Sequence, residues 1–237
     1  MWSEGGWGLQ TRDLGVALRS VPLFADFEPA ELEQLAALSR TRSMPKGNVI
    51  FYEDDPGVSC YVIMSGKVKI VVNADDGREH ILGVLYEGDV FGEMSLIDGQ
   101  PRSASAICAD DVQMVTIQRD DFLSLLRSNP DISLKLLVTL SQRLRAADRN
   151  MESLAFLSAP GRVARLLLQL GKEHGVPGAE GVVFTSPMTR QELASLAGTS
   201  RETLTRVLMD YHDRGIIHLD KSRLTLRDEQ KLREMMV

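Results

Sequence analysis

The chain has 237 residues, 43% of them hydrophobic and 25% charged, the composition of a soluble globular protein with one large domain or two smaller ones and a core that needs no disulfide or metal. No run of about 18 apolar residues is present, which excludes a transmembrane helix. The opening MWSEGGWGLQ has neither the basic nor the apolar segment of a secretory signal, and the two cysteines, Cys60 and Cys108, are too few for a disulfide scaffold, a four-cysteine zinc site or a four-cysteine iron–sulfur cluster, so a cytoplasmic protein is expected. The net charge of −6 hides an asymmetry: residues 158–237 carry 12 Lys and Arg against 10 Asp and Glu, on a body that is strongly acidic.

Residues 1–20, with two Trp and several Gly, predict an arm leading into a short helix. EPAELEQLAALSR (28–40) predicts a helix on the spacing of Leu32, Leu35, Ala36 and Leu38. From 47 to 118, NVIFYE, CYVIMSG, KVKIVVN, HILGVLYEG and QMVTIQ are short β-rich runs. Turn residues at 54–57, 65–66, 73–77 and 87–89 separate them. Short strands at regular spacing predict a small antiparallel sandwich or barrel, and the lack of βαβ alternation disfavours a parallel nucleotide-binding sheet.

From Asp131 to about Leu157 a long helix is expected. Leu137, Leu140, Leu144, Ala147, Met151 and Leu154 alternate in steps of three and four, an a/d seam along which two helices pack. A helix of about 26 residues spans roughly 39 Å, longer than a small domain's core needs, which favours a dimer seam over an ordinary buried helix. Ser158-Ala159-Pro160-Gly161 breaks it and marks a boundary. Residues 162–174 predict a helix, GVPGAEG (175–181) a loop, and the remainder two helices followed by a two-stranded hairpin.

Within that last part, Thr189 and Glu192 form a capping box, Gly198 ends one helix and permits a sharp turn, and Thr199 or Ser200 caps the next. Leu204, Val207, Leu208 and Tyr211 then face inward, leaving Arg201, Glu202, Thr205 and Arg206 on the outer, N-terminal face. Arg donates two bonds to guanine and Glu accepts one from cytosine, so this face suits base reading in a major groove, with Lys221 and Arg223 of the hairpin near the DNA backbone. Upstream, Phe91 to Ala104 (FGEMSLIDGQPRSA) follows a strand. Gly92 allows close approach of backbone to a ligand, residues 93–96 make a helical turn, Arg102 and Ser103 offer donors to a phosphate, and Glu93 offers an acceptor to a sugar hydroxyl.

Three stretches resemble the cAMP receptor protein–FNR family of transcription regulators: FGEMSLIDGQPRSASA its phosphate-binding cassette, Ser153-Leu154-Ala155-Phe156-Leu157 its hinge, and TRQELASLAGTSRETLTRVL its helix-turn-helix. The resemblance covers roughly residues 20–235. It implies an α+β fold with an N-terminal arm (1–20), an antiparallel, jelly-roll-like cyclic-nucleotide-binding β-roll with flanking helices (21–130), a dimerisation helix (131–157) and a winged helix-turn-helix (158–237). It implies cAMP as an effector, not a catalytic cofactor, held by Gly92, Glu93, Met94, Arg102 and Ser103: Glu93 on the ribose hydroxyl, Arg102 and Ser103 on the cyclic phosphate. Arg201, Glu202 and Arg206 would read a TGTGA-N6-TCACA-like palindrome of double-stranded DNA, Ser200 and Thr203 would touch phosphates, and Thr189 and Thr205 complete the DNA-facing set.

A homodimer, an RNA polymerase contact near residues 175–181 and a hinge at 155–161 are implied as well, with no membrane and no metal. One departure stands out. Ala147 and Asp148 occupy the positions where cAMP-responding members have a Thr-Ser pair against adenine. Ala147 cannot hydrogen-bond a base; Asp148 can accept from adenine N6 or from guanine N1 and N2. A guanine cyclic nucleotide and an effector-independent regulator are therefore the alternatives. An enzyme needs metal ligands or a general base, and of His80, His174, His212 and His218 only His80 falls in the β-rich part. His80 is also the sole candidate there for a haem ligand.

Overall fold

A computed structural model describes residues 11–73, 79–186, 188–220 and 223–236. The first ten residues of the expected arm, most of the expected 73–77 turn, and Lys221 lie outside the described residues. The chain forms two compact units that divide inside one helix, at Arg143 and Leu144, with residues 78–81 counted with the second.

In the first unit, α1 (Thr11–Leu18) and α2 (Pro29–Leu38) flank a 3-10 turn at Pro22–Phe24. Pro29 occupies the first turn of α2, where its missing N–H costs nothing, and Glu28 and Glu31 form a reciprocal capping box. The helix stops at Leu38, two residues short of the expected end, because Ser39–Met44 is already strand β1. That strand escapes a periodicity test: only Met44 of its six residues is buried.

β2 (Val49–Phe51), β3 (Ser59–Ser65), β4 (Val68–Asn73), β5 (Glu79–Leu85), β6 (Val90–Phe91), the short α3 (Met94–Asp98), β7 (Ser105–Cys108) and β8 (Val112–Gln118) follow. Two four-stranded sheets result, ordered β1-β8-β3-β6 and β2-β7-β4-β5. Neighbours in space that are distant in sequence, such as β3 with β8 and β2 with β7, are antiparallel, as in a jelly roll. Period-two alternation supplies two cores from one sheet. Tyr61, Ile63, Val112 and Met114 point into the sandwich with Phe91 and Cys108. Cys60, Val62, Val115 and Ile117 point the other way, against Leu18, Phe24, Leu32 and Leu35 of the flanking helices. Phe122 of α4 (Arg119–Ser128) and Ile132 and Leu136 of α5 (Pro130–Phe156) close that second core.

Beyond its first turns α5 has little cover within the chain. Leu134, Leu137, Val138, Leu144, Met151 and Leu154 are exposed, Leu144 at 63%. Leu140 differs from the other seam positions: it is half-buried against the core of the first unit.

The second unit holds α6 (Ala159–His174), β9 (Val176–Gly178), β10 (Gly181–Thr185), α7 (Arg190–Leu196), α8 (Arg201–Asp213), β11 (Ile217–Asp220), β12 (Arg223–Leu226) and α9 (Glu229–Glu234). The stretch expected to be a loop at 175–181 is instead largely the antiparallel pair β9 and β10, in register Gly181 with Gly178 and Val183 with Val176. Pro177 is tolerated because β9 is the edge of the sheet β11-β12-β10-β9. The expected two-stranded hairpin is thus half of a four-stranded sheet. Val163, Leu167 and Leu170 of α6 bury against Phe184, Leu204, Leu208, Leu224 and Leu232, and the Tyr211 hydroxyl donates to the Pro160 carbonyl at 2.9 Å.

Candidate ligand cassette and nucleic-acid interface

The cassette begins where β6 runs into α3. Gly92 has φ +75°, and a Cβ there would meet Arg102 Nη1 at 2.8 Å, so this position needs glycine for conformation and for space. Glu93 precedes the first residue of α3, makes no side-chain capping bond, and is 1% exposed; Arg102 is 3% exposed. The Arg102 guanidinium donates from Nη1 to the Gly92 carbonyl and from Nη2 to the Ser59 carbonyl at 2.6 Å, and it lies 4.3 Å from the Phe51 ring centroid. Its Nε is buried with no partner among the described residues. The main chain of Arg102 is held too: its N–H donates to the Asp55 carbonyl and its carbonyl accepts from Asp54 N–H, both at 2.9 Å. Gly57 presses on the same spot, since a Cβ there would lie 2.2 Å from Ser95 Cβ.

Glu93 meets Arg143 of α5: Nη1 donates to Glu93 Oε1 at 3.0 Å and Nη2 to the Val90 carbonyl at 2.6 Å. Burial raises the Glu93 carboxyl above its ordinary value against the pull of Arg143 and Arg102. Burial likewise lowers the Arg102 guanidinium. Two guanidiniums thus face one carboxylate, one of them with an unused donor. Arg143 is half-exposed and Asp55 also acts on Arg102, so it is the buried, unpartnered Arg102 Nε that leaves donor capacity to fit an anionic ligand such as a cyclic phosphate. Ser103 and Met94 are exposed beside it. Ala147 and Asp148 are exposed on the part of α5 that belongs to the second unit.

Cys60 and Cys108 are buried free thiols in different cores; burial pushes both up, Cys108 to about 11. His80 is half-buried on β5. Among the described residues no three His, Cys, Asp or Glu side chains group as metal ligands, and no helix is long and apolar enough to cross a membrane.

The helix-turn-helix is built by its caps. Thr189 Oγ1 accepts from Glu192 N–H at 3.3 Å, and Glu192 Oε2 accepts from Thr189 N–H at 2.7 Å. Gly198 takes φ +59° after α7, and Ser200 Oγ accepts from Thr203 N–H at 3.2 Å to start α8. Leu204, Val207, Leu208 and Tyr211 are buried, while Arg201, Glu202, Thr205 and Arg206 are exposed together. Position in the first turn holds the Glu202 carboxyl below its ordinary value, through its own backbone N–H and the Ser200 hydroxyl. Glu202 is therefore an ionised acceptor at neutral pH, flanked by two guanidinium forks. Thr205 Oγ1 donates to the Arg201 carbonyl at 2.8 Å, so its hydroxyl keeps only acceptor capacity outward. Arg223 is exposed on β12 opposite Asp220.

Sequence reasoning missed Arg143, whose partner Glu93 lies 50 residues away, although it precedes Ala147 by one helical turn. It also missed Ser59, Phe51 and Gly57 around Arg102, and Arg190, which opens α7 half-buried with Nη1 lacking a partner among the described residues.

Residues 41–129 match the cyclic nucleotide-binding domain, and residues 161–235 match the Crp-like helix-turn-helix domain. A CRP-like cAMP-activated global transcriptional regulator of Mycobacterium tuberculosis is 38% identical over 210 residues, covering 89% of this chain and 94% of that protein. The cyclic AMP receptor protein of Thermus thermophilus is 36% identical, over 92% and 98%. Among solved structures, the c-di-GMP responsive global regulator CLP of Xanthomonas campestris superposes with TM-score 0.71 at 31% identity, over 84% of this chain and 99% of that one. The two domain matches, in this order, and relatives at these identities place the chain in the cAMP receptor protein–FNR family of DNA-binding transcription regulators.

Proposed function

We propose that the chain is a homodimeric transcription regulator whose binding to a TGTGA-N6-TCACA-like palindrome is controlled by cAMP. The observation that carries this reading is the Glu93–Arg143 ion pair, because it joins the ligand cassette to the long helix. A ribose hydroxyl on Glu93 competes with Arg143 for the same carboxylate, so occupancy of the cassette is felt by α5. The cyclic phosphate goes to Arg102 and Ser103, with Gly92 and Met94 beside it, and the base meets Ala147 and Asp148. The exposed apolar stripe of α5 packs against its copy in a second chain, and the two α8 helices enter major grooves about 34 Å apart. Arg201, Glu202 and Arg206 read bases; Thr189, Ser200, Thr203 and Thr205 line the DNA-facing surface.

The ligand acts by population shift: it binds the DNA-competent setting of the hinge at 155–161 more tightly than the other setting. The arm, β-roll, dimerisation helix and winged helix-turn-helix, at 1–20, 21–130, 131–157 and 158–237, are the units of that mechanism. The chain works in the cytoplasm and does no chemistry of its own. The β9–β10 hairpin is the surface offered to RNA polymerase. Asp148 supports a second reading, a guanine cyclic nucleotide as effector, since a carboxylate pairs with guanine N1–H and N2–H; the similar Xanthomonas regulator is described as c-di-GMP responsive.

Fluorescence anisotropy of the labelled palindrome, without ligand and with cAMP or cGMP at one salt concentration, tests the proposal. Tightening by cAMP alone supports it, tightening by cGMP alone assigns Asp148 to guanine, and tight binding indifferent to both identifies an effector-independent regulator. Arg102→Leu is expected to abolish the ligand response while leaving ligand-free DNA binding intact.

A further inference from the structure

Arg162, in the first turns of α6, turns each of its three guanidinium nitrogens onto a main-chain oxygen. Nη1 donates to the Leu157 carbonyl at 2.8 Å, Nε to the Ala197 carbonyl at 2.8 Å and Nη2 to the Gly198 carbonyl at 3.0 Å. Leu157 follows the last residue of α5, while Ala197 and Gly198 make the turn between α7 and α8. Carbonyls at helix ends lack helical partners, and one planar fork here satisfies both groups at once. A second contact runs in parallel. A Cβ on Gly198 would stand 2.6 Å from Leu154 Cδ2, so a side chain from the last turn of α5 occupies the space against that turn. Two residues further on, Ser200 caps α8 and fixes where Arg201 and Glu202 begin.

We infer that Arg162 is a positioning residue that carries the setting of the long helix's end to the recognition helix, touching neither ligand nor DNA. The inference rests on the proposed function and names the side chain that transmits the effector's signal. A guanidinium cannot bend. When the Leu157 carbonyl moves, either a bond of the fork breaks or the Ala197–Gly198 turn follows it, and the first turn of α8 moves with the turn. Coupling through such an element is of a size that mutation can remove.

The test compares the full chain with Arg162→Lys, Arg162→Gln and Leu154→Ala. Calorimetry measures cAMP affinity, and anisotropy measures duplex affinity with and without cAMP at several salt concentrations. Hydrogen exchange measures protection of amides 198–203. Expected for both Arg162 variants are unchanged cAMP affinity, a cAMP-induced tightening reduced about tenfold, an unchanged salt slope and faster exchange in the turn. Lysine does not rescue, because a single nitrogen cannot hold three carbonyls in a plane. Leu154→Ala gives the same pattern more weakly; because Leu154 also lies on the exposed stripe of α5, light scattering must first show the wild-type particle mass, and with that control it carries the test if the Arg162 variants do not fold.

Full tightening in Arg162→Lys overturns the inference, since charge alone then suffices. A salt slope reduced by about one with an intact cAMP response makes Arg162 a phosphate contact and overturns it too. A wild-type chain that binds neither cAMP nor duplex overturns the proposed function first and the coupling role with it. A responsive wild type with equally responsive variants overturns the coupling role alone.

Discussion

Ionising Glu93 carries a cost. Burial outweighs Arg143 and Arg102 and raises its carboxyl above the ordinary value. The folded state then binds a proton more readily than the unfolded one, so the stabilising contribution is complete below the unfolded pKa of about 4.3 and is lost as pH rises through the folded value. In its ionised form the carboxylate is a liability that stability alone would not retain. Glu93→Gln, whose amide oxygen still accepts from Arg143, is therefore expected to melt higher than wild type at pH 7, with the gap closing toward pH 4. Melting curves across that range check it, and a variant less stable at every pH would show that the ion pair outweighs its burial. If the proposed site holds cAMP, the same variant is expected to bind it more weakly in calorimetry, an exchange of stability for function.

At the scale of elements, the second unit is held by its helix ends. The capping box at Thr189 and Glu192 supplies partners to first-turn amides of a helix only seven residues long. Thr189→Ala is expected to cost about 1 kcal/mol, measurable as a lower urea midpoint for the transition of this unit. This grammar of caps was fully legible in the sequence: Thr189, Glu192, Gly198 and Ser200 are where short-range chemistry requires them, and the four inward residues of α8 follow from period 3.6. The alternation in β3 and β8 was legible for the same reason. What escaped was long-range or unpatterned. β1 presents an almost wholly exposed face, β9 is three residues with a proline, and α9 holds one fully buried residue, Leu232. In the cassette, Gly92, Glu93 and Arg102 announced themselves by type and spacing, while Arg143, Ser59 and Phe51 are joined to them only by the fold.

For the molecule as a whole, the exposed stripe of α5 is the feature that a single chain leaves unexplained. Leu134, Leu137, Leu144 and Met151 are each about 60% exposed, and apolar area gains about 25 cal/mol per Å² when removed from water. In the proposed dimer these side chains would pair with their copies along one seam. A carboxylate at its centre has no partner there, so Leu144→Asp is expected to shift the particle from dimer to monomer in light scattering at micromolar concentration. It is also expected to weaken duplex binding at least about a hundredfold, because half-site binding loses the gain of a linked second contact. A variant that remains dimeric would move the interface elsewhere.

The two thiols give the β-roll an internal stopwatch. Cys60 and Cys108 lie on opposite sides of the sheet packing, one under the helices and one inside the sandwich. A buried thiol is alkylated only during an opening of its own surroundings. With two cysteines in the sequence, the unmodified protein reports two separate breathing rates from one mass spectrum. Cys60 follows Ser59, whose carbonyl holds Arg102, so adding the proposed ligand is expected to slow alkylation at Cys60 more than at Cys108. Arrival of the proposed effector can thus be timed at β3, with no label introduced.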